Sequence, residues 1–375
     1  MKLFDVYPLY DITPVAAQGT EVIDDKGVRY LDLYGGHAVI SIGHSHPHYK
    51  EKIKDQLDKI GFYSNAIVNP LQLELAEKLG KASGLKDHQL FLCNSGAEAN
   101  ENALKVASFI TGKDRVVAFK KAFHGRTSAA VMATDNPNIQ APINRQQKVS
   151  YVAFEDVTAL ESELAKGDVC AVIIETIQGV GGLDMPSEAF FKSVETLSQK
   201  YGALLIADEV QSGYGRSGKF FAFQHYNIKP DLISIAKGMG NGFPVAGVIL
   251  APHIKASYGM LGTTFGGNHL ACAASIAVLD VIEKENLVLA AADMETYFRE
   301  KAAAIPSITA VKGKGLMLGI QFNFEVAALR KELIYKHHIF TGAASDKTLL
   351  RILPALNVTK EAIDQFFNAL QIELS

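Results

Sequence analysis

Leu232-Ile233-Ser234-Ile235-Ala236-Lys237-Gly238-Met239-Gly240-Asn241-Gly242 is a short apolar run that delivers one amine into a glycine-rich turn. A second run of the same kind, Ala203-Leu204-Leu205-Ile206-Ala207, ends in Asp208-Glu209-Val210-Gln211-Ser212-Gly213-Tyr214-Gly215-Arg216. Apolar runs this short, closed by glycine and charge, predict strands buried on both faces. Working outward, the pattern predicts helix over 71–81, strand over 89–93, helix over 97–110, strands over 115–119 and 169–175, and helix over 188–200. Alternation of that kind predicts an α/β fold with a mostly parallel sheet covered by helices on both faces. In such an open sheet ligands sit beyond the carboxyl ends of the strands, where Asp208 and Lys237 both fall.

The chain has 375 residues, enough for one large and one smaller domain. Residues 1–50 are expected to begin the small domain, with a hairpin over 20–33 turning at Asp24-Asp25-Lys26-Gly27. Residues 51–283 form the expected large domain. Residues 284–375 complete a small α+β domain, through Leu349-Leu350-Arg351-Ile352-Leu353-Pro354 to an amphipathic helix from Thr359. A net charge of −3 and the lack of a long basic run argue against nucleic acid or an acidic membrane as partner. Cys93, Cys170 and Cys272 share no CxxC spacing and read as reduced, buried small hydrophobes. Met1 to Pro8 has no apolar core of signal-peptide length, and no run approaches the ~20 apolar residues of a membrane span, so the expected location is the cytoplasm. No metal-ligand cluster is expected.

A carboxylate and a lysine at neighbouring strand ends, 29 positions apart in sequence, suit pyridoxal phosphate. The lysine would hold its aldehyde covalently, and the carboxylate would keep its pyridine nitrogen protonated so that the ring can act as an electron sink. Ser95-Gly96-Ala97, between a strand and a helix, offers free N–H groups to a phosphate. Taken in order, Asn94-Ser95-Gly96-Ala97-Glu98-Ala99-Asn100, Phe123-His124-Gly125-Arg126-Thr127, Asp208-Glu209-Val210-Gln211, Lys237-Gly238 and Gly262-Thr263-Thr264-Phe265-Gly266-Gly267-Asn268 resemble the class III aminotransferases of fold type I. Among these the chain looks most like the acetylornithine and succinylornithine enzymes.

The resemblance implies pyridoxal phosphate as cofactor, Lys237 and Asp208 as catalytic groups, and a phosphate cradle at Ser95, Gly96 and Ala97. It implies closure of that cradle by Thr264 across a homodimer interface. Phe123 and Val210 would sandwich the pyridine ring, and Gln211 would hydrogen-bond its phenolic oxygen. Alone, Phe123 reads as core and His124 as a turn residue or as one that supports the site by holding another side chain. Arg351 would take the α-carboxylate of glutamate or 2-oxoglutarate. Arg126 would take that substrate's distal carboxylate and, in the other half-reaction, the α-carboxylate of an acylated diamine. Thr263 and Tyr10 would line the distal end.

Two positions bear on the donor. Where the family usually reads Glu-Pro-Ile-Gln-Gly-Glu-Gly-Gly, this chain has Glu175-Thr176-Ile177-Gln178-Gly179-Val180-Gly181-Gly182, so the second glutamate, the usual partner of the arginine at 351, is Val180. An unpaired buried guanidinium is costly, so another acid such as Glu175, or solvent or an anion, is expected to serve. Gly36 stands near where similar ornithine enzymes tend to carry a tyrosine for a free α-amine, which fits a capped donor. The expected reaction is ping-pong transfer of the δ-amine of N-acetyl- or N-succinylornithine to 2-oxoglutarate, in arginine biosynthesis. Free ornithine or 4-aminobutyrate as donor, an aminomutase or racemase on the same scaffold, and a cofactor-binding regulator are the rival readings.

Overall fold

The computed structural model describes all 375 residues. Its central sheet has seven strands in the order Gln89–Cys93, Ala246–Leu250, Leu232–Ile235, Leu204–Asp208, Val169–Glu175, Arg115–Phe119 and Lys148–Val152. The expected α/β architecture is present. Five of the strands pair in parallel, whereas Ala246–Leu250 runs antiparallel to both of its neighbours. That reversal has a local cause. The connection from Ile235 to Ala246 holds only the glycine-rich turn, and it is too short for the helical crossover that a parallel pairing needs.

Register aligns the chemistry. Glu175 pairs with Asp208, and Asp208 with Ser234, so three neighbouring strands end level with one another. Every residue of Val169–Glu175 is buried, as a central strand covered on both faces requires. The Gly96–Thr111 helix lies across the sheet on Ala99, Ala103 and Ala107, whose small side chains let its axis approach closely. Ser95 caps its N-terminus, the Oγ accepting from Glu98 N at 3.2 Å.

Both chain ends build the two smaller sheets. Pro14–Gln18, Glu21–Asp24 and Arg29–Asp32 are joined by Ile339–Phe340, while Ala310–Lys314, Met317–Gln321, Leu349–Ile352 and Gly342–Ala343 form the other. The predicted hairpin turn closes through Asp24, whose Oδ1 accepts from Lys26 N and Val28 N at 3.0 and 2.8 Å. Arg216 is fully buried and pairs with no carboxylate, Asp32 acting on it only through space. Its guanidinium donates instead to the carbonyls of Ile40 and Leu316, each at 3.2 Å, and of Pro354. These bonds tie the middle of the chain to both ends. No helix is long and apolar enough to cross a membrane.

Candidate active site

A cavity of about 400 Å³ opens at the carboxyl ends of the central strands. Ser95, Gly96, Ala97, Phe123, His124, Arg126, Glu175, Val180, Asp208, Val210, Gln211 and Lys237 all line it. The two strand-end residues that the sequence singled out therefore meet in one place. The Gly96 and Ala97 N–H groups, at the start of a sixteen-residue helix, make no hydrogen bond within the chain and can receive an anion. Glycine at 96 is a packing requirement: a Cβ there would stand 2.6 Å from Val210 Cγ1.

Asp208 is buried and held on three sides. Its Oδ2 accepts from His124 Nδ1 at 2.7 Å and Asn100 Nδ2 at 2.8 Å, and its Oδ1 accepts from Val210 N at 3.0 Å. Burial opposes a charge on His124, yet the Asp208 hydrogen bond and the nearby carboxylates outweigh it and raise the imidazole pKa. His124 is thus more than a turn residue. A supporting role was one of the two readings of His124, but its partner Asp208 was not visible in the sequence, nor was the role of Asn100.

Lys237 begins a 3-10 turn in the left-handed region, φ 46°, which carries its amine away from the strand into the cavity. Burial lowers its pKa and the Arg351 charge adds to the effect, against the opposing pull of Asp208 and Glu175. A lowered pKa favours the neutral amine, which is the form that accepts a proton. Glu175 accepts from Phe123 N at 2.8 Å and Gly179 N at 3.0 Å, and burial pushes its carboxyl up to about 7. Gln211 donates to the His37 carbonyl at 3.2 Å, while its Oε1 is buried without a partner.

The chain belongs to the class-III aminotransferase family, whose model matches residues 6–374. It is similar to the acetylornithine aminotransferase of Bacillus subtilis, at 39% identity over 376 residues, covering 99% of this chain and 97% of the relative. The acetylornithine aminotransferase of Archaeoglobus fulgidus is 38% identical, covering 97% and 96%. Among solved structures, the ornithine aminotransferase of Toxoplasma gondii superposes with a TM-score of 0.91 at 25% identity, covering 99% of this chain and 93% of that one.

The residues present fit the cofactor of this class, pyridoxal phosphate. A buried amine with lowered pKa, an anchored carboxylate, unpaired N–H groups at a helix start and an unpartnered amide oxygen converge on one cavity. Lys237 would hold the aldehyde, Asp208 the ring nitrogen, and Gly96 and Ala97 the phosphate.

Arginines 126 and 351 differ. Arg126 is exposed at the cavity and has no ion-pair partner, open to a ligand carboxylate. Arg351 is only 4% exposed; it donates to Gly179 O at 2.8 Å, its Nε is unpartnered, and burial lowers its pKa. Glu175 makes no ion pair with it, its oxygens accepting instead from backbone N–H groups, although its charge acts on the guanidinium through space. Thr264 is exposed and does not line its own chain's cavity. Thr263 does not line it either; its hydroxyl accepts from Gly266 N at 3.1 Å, which shapes its own turn. Tyr10 packs edge-on against Tyr335 with ring centroids 6.2 Å apart, outside the cavity lining.

Proposed function

We propose that this protein transfers the δ-amine of an N-acylated ornithine to 2-oxoglutarate, yielding an N-acylglutamate semialdehyde and glutamate in arginine biosynthesis, within the cytoplasm. The observation that carries the reading is the convergence of Lys237, with its lowered pKa, and the His124-anchored Asp208 on one cavity lined by Arg126, with Arg351 outside the lining but near enough for its charge to act on Lys237. Similarity to two acetylornithine aminotransferases over nearly the whole chain supports the donor.

Bound pyridoxal phosphate supplies an aldehyde that takes up the amino group and a ring that withdraws electrons from the reacting carbon. Asp208, fixed in place by its three donors, would sit against the ring nitrogen and hold a proton there. Once released by the incoming amine, Lys237 accepts a proton from the donor's amine-bearing carbon and returns it to the product side. Phe123 and Val210 would confine the ring, and the Gln211 amide would hydrogen-bond its phenolic oxygen. Arg351 takes the α-carboxylate of the acceptor, and Arg126 the carboxylate at the far end.

The reading includes a homodimer in which Thr264 reaches the partner's cavity. Beside Thr264, the Phe62 and Phe265 rings lie 5.4 Å apart and are 43% and 60% exposed, a surface suited to a second copy. The direct test mixes the cofactor-loaded protein separately with N-acetylornithine, N-succinylornithine, ornithine and 4-aminobutyrate and follows the cofactor's visible absorbance. Bleaching by an acylornithine, reversed by 2-oxoglutarate, is the expected result. Bleaching by ornithine or 4-aminobutyrate alone overturns the donor.

A further inference from the structure

Resting on that reading, the two half-reactions make opposite demands on Arg351. An acceptor brings a carboxylate to it, whereas the δ-amine end of the donor brings only an alkyl chain. A buried guanidinium with no counter-charge must then find another partner. Val180 is apolar, and Glu175, whose oxygens accept from Phe123 and Gly179, acts on the guanidinium only through space and makes no hydrogen bond to it.

The structure offers a different partner. The Tyr34 ring lies beneath the Arg351 guanidinium, 5.9 Å from centroid to Cζ, a cation–π geometry. Room for that ring comes from Gly342, where a Cβ would stand 2.6 Å from Tyr34 Cε2 and 3.0 Å from Arg351 Cβ. The Tyr34 hydroxyl bonds to the His37 imidazole, which fixes the phenol in place. His37 is reached through an unusual piece of backbone: Gly35, Gly36, His37 and Ala38 all have φ between 54° and 68°. A left-handed turn of four residues is disfavoured for side-chain-bearing residues, and here it is held by Asp32, whose Oδ1 accepts from Tyr34 N and Gly35 N. The same turn presents the His37 carbonyl to Gln211, linking the arginine's seat to the cavity.

We propose that Tyr34 and His37 determine donor specificity by giving Arg351 an uncharged resting partner, so that one cavity accepts both a donor without a carboxylate at that end and an acceptor with one. His37 keeps the ring in position and does not itself meet the reacting atoms. Burial, with the charges of Arg351 and Lys237, holds its pKa low, so the pair stays neutral beside the guanidinium.

The test compares wild type, Tyr34→Leu, Tyr34→Phe and the double variant Tyr34→Leu/Val180→Glu in single half-reactions with N-acetylornithine and with glutamate. Calorimetric binding of succinate, a dicarboxylate with no amine to transfer, is measured on each cofactor-loaded protein. In Tyr34→Leu, kcat/KM for the acylornithine should fall about two- to thirtyfold, the size of a partly desolvated cation–π contact, with glutamate kinetics and succinate affinity held or improved. Tyr34→Phe, which keeps the ring but loses the His37 bond, should lose less of the donor rate than Tyr34→Leu, and Val180→Glu should restore the rate of Tyr34→Leu by supplying a carboxylate. Equal loss in both half-reactions, weakened succinate binding, an unchanged donor rate in Tyr34→Leu, or no rescue by Val180→Glu each overturns the proposal. Absence of a glutamate half-reaction in wild type would instead defeat the underlying functional reading.

Discussion

Replacing Glu175 by Gln should invert its effect on stability between acid and alkaline pH. In the wild type, burial raises the carboxyl pKa from its ordinary 4.5 to about 7, so the folded protein holds a proton that the unfolded chain has released. Folding then binds protons between those two values, and stability falls as pH rises from 4.5 to 7 before levelling off. The shift corresponds to about 3 kcal/mol. Glutamine carries no such titration, but it has one carbonyl oxygen for two N–H donors, those of Phe123 and Gly179. Leaving one of them unpaired costs about 1–3 kcal/mol. At pH 5 the variant should therefore be less stable by about 1–3 kcal/mol, and by pH 8.5 the difference should have moved about 3 kcal/mol in its favour. Urea denaturation at fixed protein and cofactor concentration measures this. A difference that stays flat within about 0.5 kcal/mol from pH 5 to 8.5 would refute the assignment of a raised carboxyl pKa to Glu175.

Lys237→Ala should lower the rate of amine transfer by at least about 10²- to 10⁴-fold, the usual contribution of a positioned proton-transfer group, in single-turnover assays. His124→Leu removes a hydrogen bond to a buried carboxylate, about 1.5–3 kcal/mol. Because the imidazole pKa is raised in the folded state, the lost stability should be largest below pH 6.5 and should shrink as pH rises through the folded pKa, as melting curves across pH would show. Gly96→Ala drives a methyl into Val210 and should cost about 1–3 kcal/mol, read as a weaker cofactor dissociation constant in visible-absorbance titrations.

Apolar strands ending in charge were legible in the sequence because a strand buried on both faces leaves little choice of residue, and Leu204–Asp208 and Val169–Glu175 lie where the pattern put them. The reversed strand Ala246–Leu250 was not, since its composition matches that of its parallel neighbours and only the short connection sets its direction. At the site, Lys237 and Asp208 carried their own signal. The support of Asp208 by Asn100 and His124 did not, because those residues come from a helix and a loop 108 and 84 positions away and meet it only in the folded state. Gly35 and Gly36 take left-handed backbone at little cost, but nothing in His37 or Ala38 announced that the left-handed turn continues through them. Thr263 and Tyr10 carried expectations set by family position alone, and the geometry of a single chain gives them other neighbours.

The buried Arg216 sets an order of events in synthesis. Its guanidinium needs carbonyls 176 positions before it, at Ile40, and 100 and 138 positions after it, at Leu316 and Pro354. A nascent chain that has emerged only as far as Lys237 already contains the carboxylate and the amine, yet Arg216 has two of its three acceptors still unmade. A chain truncated before Leu316 should therefore leave an unsatisfied charge in its core, a state open to degradation.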